Sequence, residues 1–159
     1  MPPLKTRAIV GSAFDLGDKD LVVHVLTPEH GRLGVVVRGG KNSLKGRAAA
    51  MQPLAEIELT ATLREGRDLA TLGEVTELDS HAGLRSDLNR LALASFLFEL
   101  ALGTALPGQE LDETFELVRA ALTHLETAEE SPPITALCHW LLGFLALHGV
   151  EPVIDEALL

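Results

Sequence analysis

The apolar residues of this 159-residue chain change period once, near Ser80, and that change limits the fold more than any other feature. Before it they recur every second residue; after it, every third or fourth. Period 2 buries one face of a strand, and period 3.6 buries one stripe of a helix. The sequence therefore predicts an all-β unit over residues 1–80 and an all-α unit over 81–159. Apolar residues make up 47% of the chain, which is enough for a packed core and too many for a disordered one.

Five runs in the first half read as strands: "TRAIVGSAF", "DLVVHVL", "RLGVVVR", "LAEIELTATL" and "LATLGEVTEL". The breaks between them carry turn chemistry. "DLGDKD" is rich in Asp and Gly, and in "TPEHG" Pro28 presets a turn that Gly31 closes in the left-handed conformation. Ile57, Leu59, Ala61 and Leu63 alternate strictly; Leu69, Leu72 and Val75 are the inward candidates of the last run. Five short strands at this spacing predict a small antiparallel barrel, whose closure removes exposed edges.

The second half predicts about three helices. "SDLNRLALASFLFELALG" is apolar around most of its circumference, with Ser86 as N-cap and Gly103 as stop, the pattern of a central buried helix. Asp112 caps a second helix to about Leu125, with Phe115, Val118, Leu122 and Leu125 on one face. In "AEESPP", Ser131 caps a third, Pro132 takes its first position, Gly149 ends it near His148 and Pro152 prevents resumption. Its run "ITALCHWLLGFLALHGV" is short for a membrane span and contains His139 and His148, so a buried helix is the better reading.

Charge is divided as sharply as periodicity. Residues 1–47 hold eight Lys/Arg against four Asp/Glu; residues 81–159 hold three against twelve; the whole chain is −10. Four of the thirteen basic residues, Arg38, Lys41, Lys45 and Arg47, fall in "VVVRGGKNSLKGR". Gly39 and Gly40 let a ligand approach the backbone and leave two N–H groups for it. Cations and amides together suit backbone phosphates, and Lys5, Arg7 and Arg32 extend the patch if their strands lie beside the loop. A solubilising surface loop is the bland alternative. Phe14 is the barrel's single aromatic and the chain has no tyrosine, so base stacking is nearly absent and binding is expected to be salt-sensitive and weakly sequence-selective.

Other chemistries find little support. The double glycine lacks the phosphate-loop spacing. Asp15, Asp18 and Asp20 crowd one turn and could ligate a divalent cation, but a solvated turn explains them better. His139 and His148 lie on opposite sides of one helix, and no Ser/His/Asp or Cys/His arrangement stands out. The chain is read as a non-enzyme without cofactor. The lone Cys138 fits a reducing, cytoplasmic setting, and "MPPLKTR" is not a secretory signal. A protein-docking module with a structural barrel and an RNA-binding barrel remain open on the residues alone.

The order of pieces then becomes specific. "TRAIV", "DLGDKDLVVHVLTPEHGRL", "VVVRGGKNSLKGR" and "MQPLAEIEL", followed by "LRSDLNRLALASFLFEL", "ETFELVRAALTHLE" and "LLGFLALHGVEPVID", resemble the RecO family of bacterial recombination mediators over residues 4–155. The resemblance implies an oligonucleotide-binding barrel joined to a helical domain, binding single- and double-stranded DNA and annealing strands. It also implies a place in the RecFOR pathway: loading RecA onto gaps coated with single-strand-binding protein, with RecR as partner. Arg38 and Lys41 match the family's basic loop, continued by Lys45 and Arg47. The acidic tail of single-strand-binding protein is expected on the helical domain, where only Arg85, Arg90 and Arg119 offer positive charge. Family members usually continue into a cysteine-containing zinc segment; this chain has no C-x-x-C, so no zinc is expected in it.

Overall fold

The computed structural model describes residues 2–42 and 50–150. Five strands, β1 (Leu4–Leu16), β2 (Asp20–Thr27), β3 (Gly31–Val37), β4 (Glu56–Thr62) and β5 (Leu69–Asp79), close into a barrel in the order β1-β2-β3-β5-β4. Neighbours are antiparallel except β3 and β5, which run parallel, so the expectation of a wholly antiparallel barrel is corrected at that seam. The chain crosses between them through β4, which pairs with both β1 and β5.

Alternation decides what fills the barrel. Ala8 and Val10 of β1, Val23 and Val25 of β2, Leu33, Val35 and Val37 of β3, and Ile57, Leu59 and Ala61 of β4 all point inward. On β5 the inward pair is Ala70 and Leu72. Leu69, predicted inward, is 37% exposed on the outer face, where its side chain occupies the space a Cβ on Gly34 would need. Parallel pairing with β3 sets that register, and no local pattern in β5 carries it.

Three helices follow: α1 (Leu88–Thr104), α2 (Asp112–Thr127) and α3 (Ile134–Leu147). Their starts differ from the sequence expectation by one or a few residues. Asp87, not Ser86, caps α1, its carboxylate accepting from the Asn89 N–H at 2.9 Å; Ser86 ends a preceding 3-10 turn. Asp112 is the first helical residue of α2 rather than its cap, and Asp112 and Glu113 place negative charge in the first turn, where the helix dipole favours it. Ser131 does not cap α3. Its hydroxyl donates to Asp87 at 2.7 Å, linking the approach to α3 with the start of α1. α1 continues through Gly103, and Gly149 ends α3 at φ 74° as expected.

The helical core is not separate from the barrel. Leu97, Phe98 and Ala101 of α1, Phe115, Val118 and Leu122 of α2, and Trp140 and Phe144 of α3 form one cluster with Ile9 and Leu26 from the barrel's outer surface. Gly11 lets α1 come close, because a Cβ there would meet Phe98 and Leu102. Two helices are less enclosed than predicted. On α1, Leu88 and Phe96 are 81% and 51% exposed, and α3 buries only the stripe Ala136, Trp140, Phe144. Away from that stripe α3 shows Leu142 to solvent, and Ile134 and Leu147 are exposed at its two ends. Among the described residues no helix is long and apolar enough to cross a membrane.

Candidate nucleic-acid interface

The loop that follows β3 is held by the β1–β2 hairpin. Asp20 accepts the Gly39 N–H at 2.8 Å, the Lys41 N–H donates to the Lys19 carbonyl, and the Lys41 ammonium reaches the Gly17 carbonyl at 2.6 Å and the Asp15 carboxylate at 3.3 Å. The expectation of two free amides is corrected, because the Gly39 N–H is taken by Asp20; and in the Asp-rich turn, read from sequence as a solvated connection, Asp15 and Asp20 fasten the loop.

The seven cations singled out from sequence thus divide by what they touch. Lys5 pairs with Glu58 across β1 and β4 at 3.1 Å. Arg7 pairs with Glu116 of α2 at 2.8 Å and lies over the Phe115 ring, 5.1 Å from its centroid. Lys41 is held as described, with 24% of its side chain exposed. Arg38 is exposed and Arg32 half-buried, and neither side chain has a hydrogen-bond or ion-pair partner among the described residues. Lys45 and Arg47 lie outside the described residues. Arg32, Gly34 and Val36 form the outward rank of β3, opposite to inward Leu33, Val35 and Val37, and the rank leads to Arg38 at the strand's end. At about 3.3 Å per residue, the two unpaired guanidiniums bracket roughly 20 Å of barrel surface.

Beside that rank lies a feature that sequence reading undervalued. The β1–β2 register slips between Val10 and Ala13, a bulge that turns the end of β1 outward. Phe14 follows it, 55% exposed and at a T-shaped angle to the His24 ring, with centroids 5.6 Å apart. With Ser12 and Arg32 these rings line the barrel side of a cleft of about 290 Å³; Glu99, Leu102 and Gly103 of α1 line the other. A smaller cleft of about 100 Å³ shares Ser12, Glu99 and Leu102 with it and extends the seam toward Pro53 and Ser95. His24 Nδ1 is buried there without a hydrogen-bond partner among the described residues. The only sequence signal was an aromatic preceding an Asp/Gly turn.

Elsewhere, Asp79, His81 and Glu126 converge where β5 meets the helices. His81 Nδ1 lies 2.9 Å from Glu126, the Asp79 carboxylate accepts the His81 N–H, and the second Glu126 oxygen accepts the Gly83 N–H. Hydrogen bonds account for these contacts, and they join the two halves of the chain. The arginines of the helical half are likewise engaged. Arg85 donates to the Ser80 and Pro53 carbonyls, Arg90 to the carbonyls of Leu125 and Ala128 at the end of α2, and Arg119 to Glu116. Arg7 first, then Arg119, holds the Glu116 carboxyl below its ordinary value.

A closed five-strand barrel of the oligonucleotide-binding type with helices packed on its flank, and with two arginines along one outer rank that have no partner among the described residues, places the chain in the class of barrel-plus-helix proteins. Comparison with known proteins narrows it. Residues 1–81 match the family profile described as Recombination protein O N terminal, and residues 85–157 match Recombination protein O C terminal. The chain is 34% identical over 155 residues to "DNA repair protein RecO" of Anaeromyxobacter sp. (strain K), covering 98% of this chain and 60% of that protein. It is 33% identical over 145 residues to the protein of that name in Nostoc punctiforme, and 36% over 127 residues to that in Pelobacter propionicus, covering 47% and 51% of those proteins. This chain belongs to the RecO family of DNA repair proteins. It spans at most about 60% of the length of these three relatives.

Proposed function

We propose that this chain binds single- and double-stranded DNA on the outer face of its barrel and acts, without catalytic chemistry, as a recombination mediator that anneals strands and assists RecA loading on DNA coated by single-strand-binding protein. The observation that carries this reading is Arg38, an exposed guanidinium with no carboxylate partner among the described residues, at the rim of a protein whose net charge is −10. Arg32 continues the positive rank along β3, and Lys45 and Arg47 add charge from the sequence that follows. Lys41, Lys5 and Arg7 contribute only by exchanging a carboxylate for a phosphate, so their share is smaller. Annealing needs no reactive group: screening two polyanions on one basic surface raises their encounter rate.

In this reading the protein acts in the cytoplasm, with RecR and the acidic, apolar tail of single-strand-binding protein as its partners. Arg119 is where the tail's carboxylates would compete with Glu116, since Arg85 and Arg90 hold backbone carbonyls. A second reading, a docking module with a structural barrel, is favoured by one observation, the exposed apolar residues of α3.

Fluorescence anisotropy with labelled oligonucleotides at two salt concentrations separates them. Arg38→Ala is expected to weaken single-strand and duplex binding together. It should lower the magnitude of the log–log salt slope by about 0.7 on single strands and about 0.9 on duplex, one phosphate contact's share. Unchanged binding in a folded Arg38→Ala protein rejects the site, and a parent chain that binds no DNA favours the docking module.

A further inference from the structure

We infer that the cleft between the β1 bulge and α1 receives an unstacked nucleobase of single-stranded DNA, stacked on Phe14, while Arg32 holds an adjacent phosphate. This rests on the proposed DNA-binding face and adds to it the form of DNA that the face prefers.

Several independent features converge on that occupant. A phenylalanine ring 55% exposed on a barrel surface offers apolar ring surface to a planar partner, and the His24 ring packs against it at a T-shaped angle. The cleft of about 290 Å³ lies at the low end of small-ligand clefts, a scale suited to one planar ring system rather than a helix or a peptide segment. Its charges are mixed in the way a nucleotide requires. The Arg32 guanidinium has no partner among the described residues and matches a phosphate. Glu99, on the opposite wall, repels phosphate and accepts N–H groups from a base edge. The narrower continuation past Ser12 toward Pro53 and Ser95 gives the strand a path along the seam.

Duplex DNA cannot use this cleft, because its bases remain stacked and paired inside the helix. The surface therefore holds a single strand by charge and stacking together, and a duplex by charge alone. A mediator with that difference favours gapped over intact DNA.

The test is anisotropy of the full chain with a labelled dT oligonucleotide and with a duplex of equal length, for Phe14→Ala, Phe14→Leu, Phe14→Tyr and Arg38→Ala. Both non-aromatic variants should bind the single strand roughly 5- to 150-fold more weakly, the range that loss of one stacked base gives, with duplex affinity unchanged. The tyrosine variant should bind like the parent. If Phe14→Ala binds the single strand normally while Arg38→Ala weakens both forms, the stacking cleft is wrong and the basic face stands. Equal loss on both forms, or a leucine variant as good as tyrosine, also overturns the cleft. A parent that binds neither form overturns the DNA-binding face and this inference with it.

Discussion

Arg7 shows how a residue's neighbours decide its role. On β1 it alternates correctly to join a cationic patch, yet Glu116 and the Phe115 ring of α2 take its guanidinium. Glu116 also binds Arg119, and these two arginines, Arg7 first, hold its carboxyl below the ordinary value of 4.5. Asp87 lies below 3.8 because the Ser131 hydroxyl and then the Asn89 amide donate to it. Both carboxyls are lowered in the folded chain, so the unfolded chain takes up protons first as pH falls. Their stabilisation is complete above the ordinary values and disappears as pH drops through the lowered ones. Thermal melts should therefore show Tm falling as pH drops below about 5, and falling less in Glu116→Gln. A variant with the parent's acid sensitivity would show that this pair does not contribute. Glu116 is exposed and Asp87 half-buried, so screening by water keeps the effect modest. None of this was readable from sequence, since Arg7 and Glu116 are 109 positions apart.

At the scale of elements, the β2–β3 turn was legible and its purpose was not. Pro28 and Gly31 predict a hairpin, and Gly31 does take φ 62°. The turn also anchors the connection between α1 and α2: the Gly108 N–H donates to His30 and the Leu111 N–H to Pro28, at 2.8 and 2.7 Å. A Cβ on Gly31 would collide with the Leu106 carbonyl oxygen. Gly31→Ala combines left-handed strain with that clash and is expected to cost at least about 2 kcal/mol in denaturant unfolding. Gly17, also left-handed but with open space around it, is the control that carries the strain alone. Equal losses at the two sites would show that the packing against Leu106 is immaterial. Helix starts were misplaced because Ser86, Asp87, Asp112 and Ser131 all have capping chemistry, and tertiary partners choose among them. The inward face of β4, Ile57, Leu59 and Ala61, was legible because alternation alone sets it. Leu69 was misread because a parallel neighbour distant in sequence fixes the β5 register.

For the whole molecule, the shared core matters most. Ile9 and Leu26 leave the barrel's outer surface to join Leu97, Phe98 and Trp140, so neither half closes its apolar surface alone. Barrel and helices should unfold as one unit. The single tryptophan, Trp140, is 1% exposed in the helical core and reports that half, while far-UV circular dichroism reports both. Coincident denaturant transitions are expected, and two separated ones would show that the halves are independent. Charge is organised at the same scale. The arginines of the helical half all have partners among the described residues within a region of net −9, so on the proposed reading polyanions would be directed to the barrel rim.

By itself the sequence determined the two periods, the five strands and three helices they produce, the turn at Gly31, the concentration of positive charge after β3 and the resemblance to a DNA repair family. These are local properties, set by side-chain spacing and backbone preference within a few residues. Only the tertiary structure decided which cations remain unpaired, that Asp15 and Asp20 clasp the basic loop, that β5 lies parallel to β3, and that Phe14 stands over a cleft against α1. Each depends on groups brought together from distant positions, where burial and pairing in three dimensions choose among side chains that spacing alone leaves equivalent.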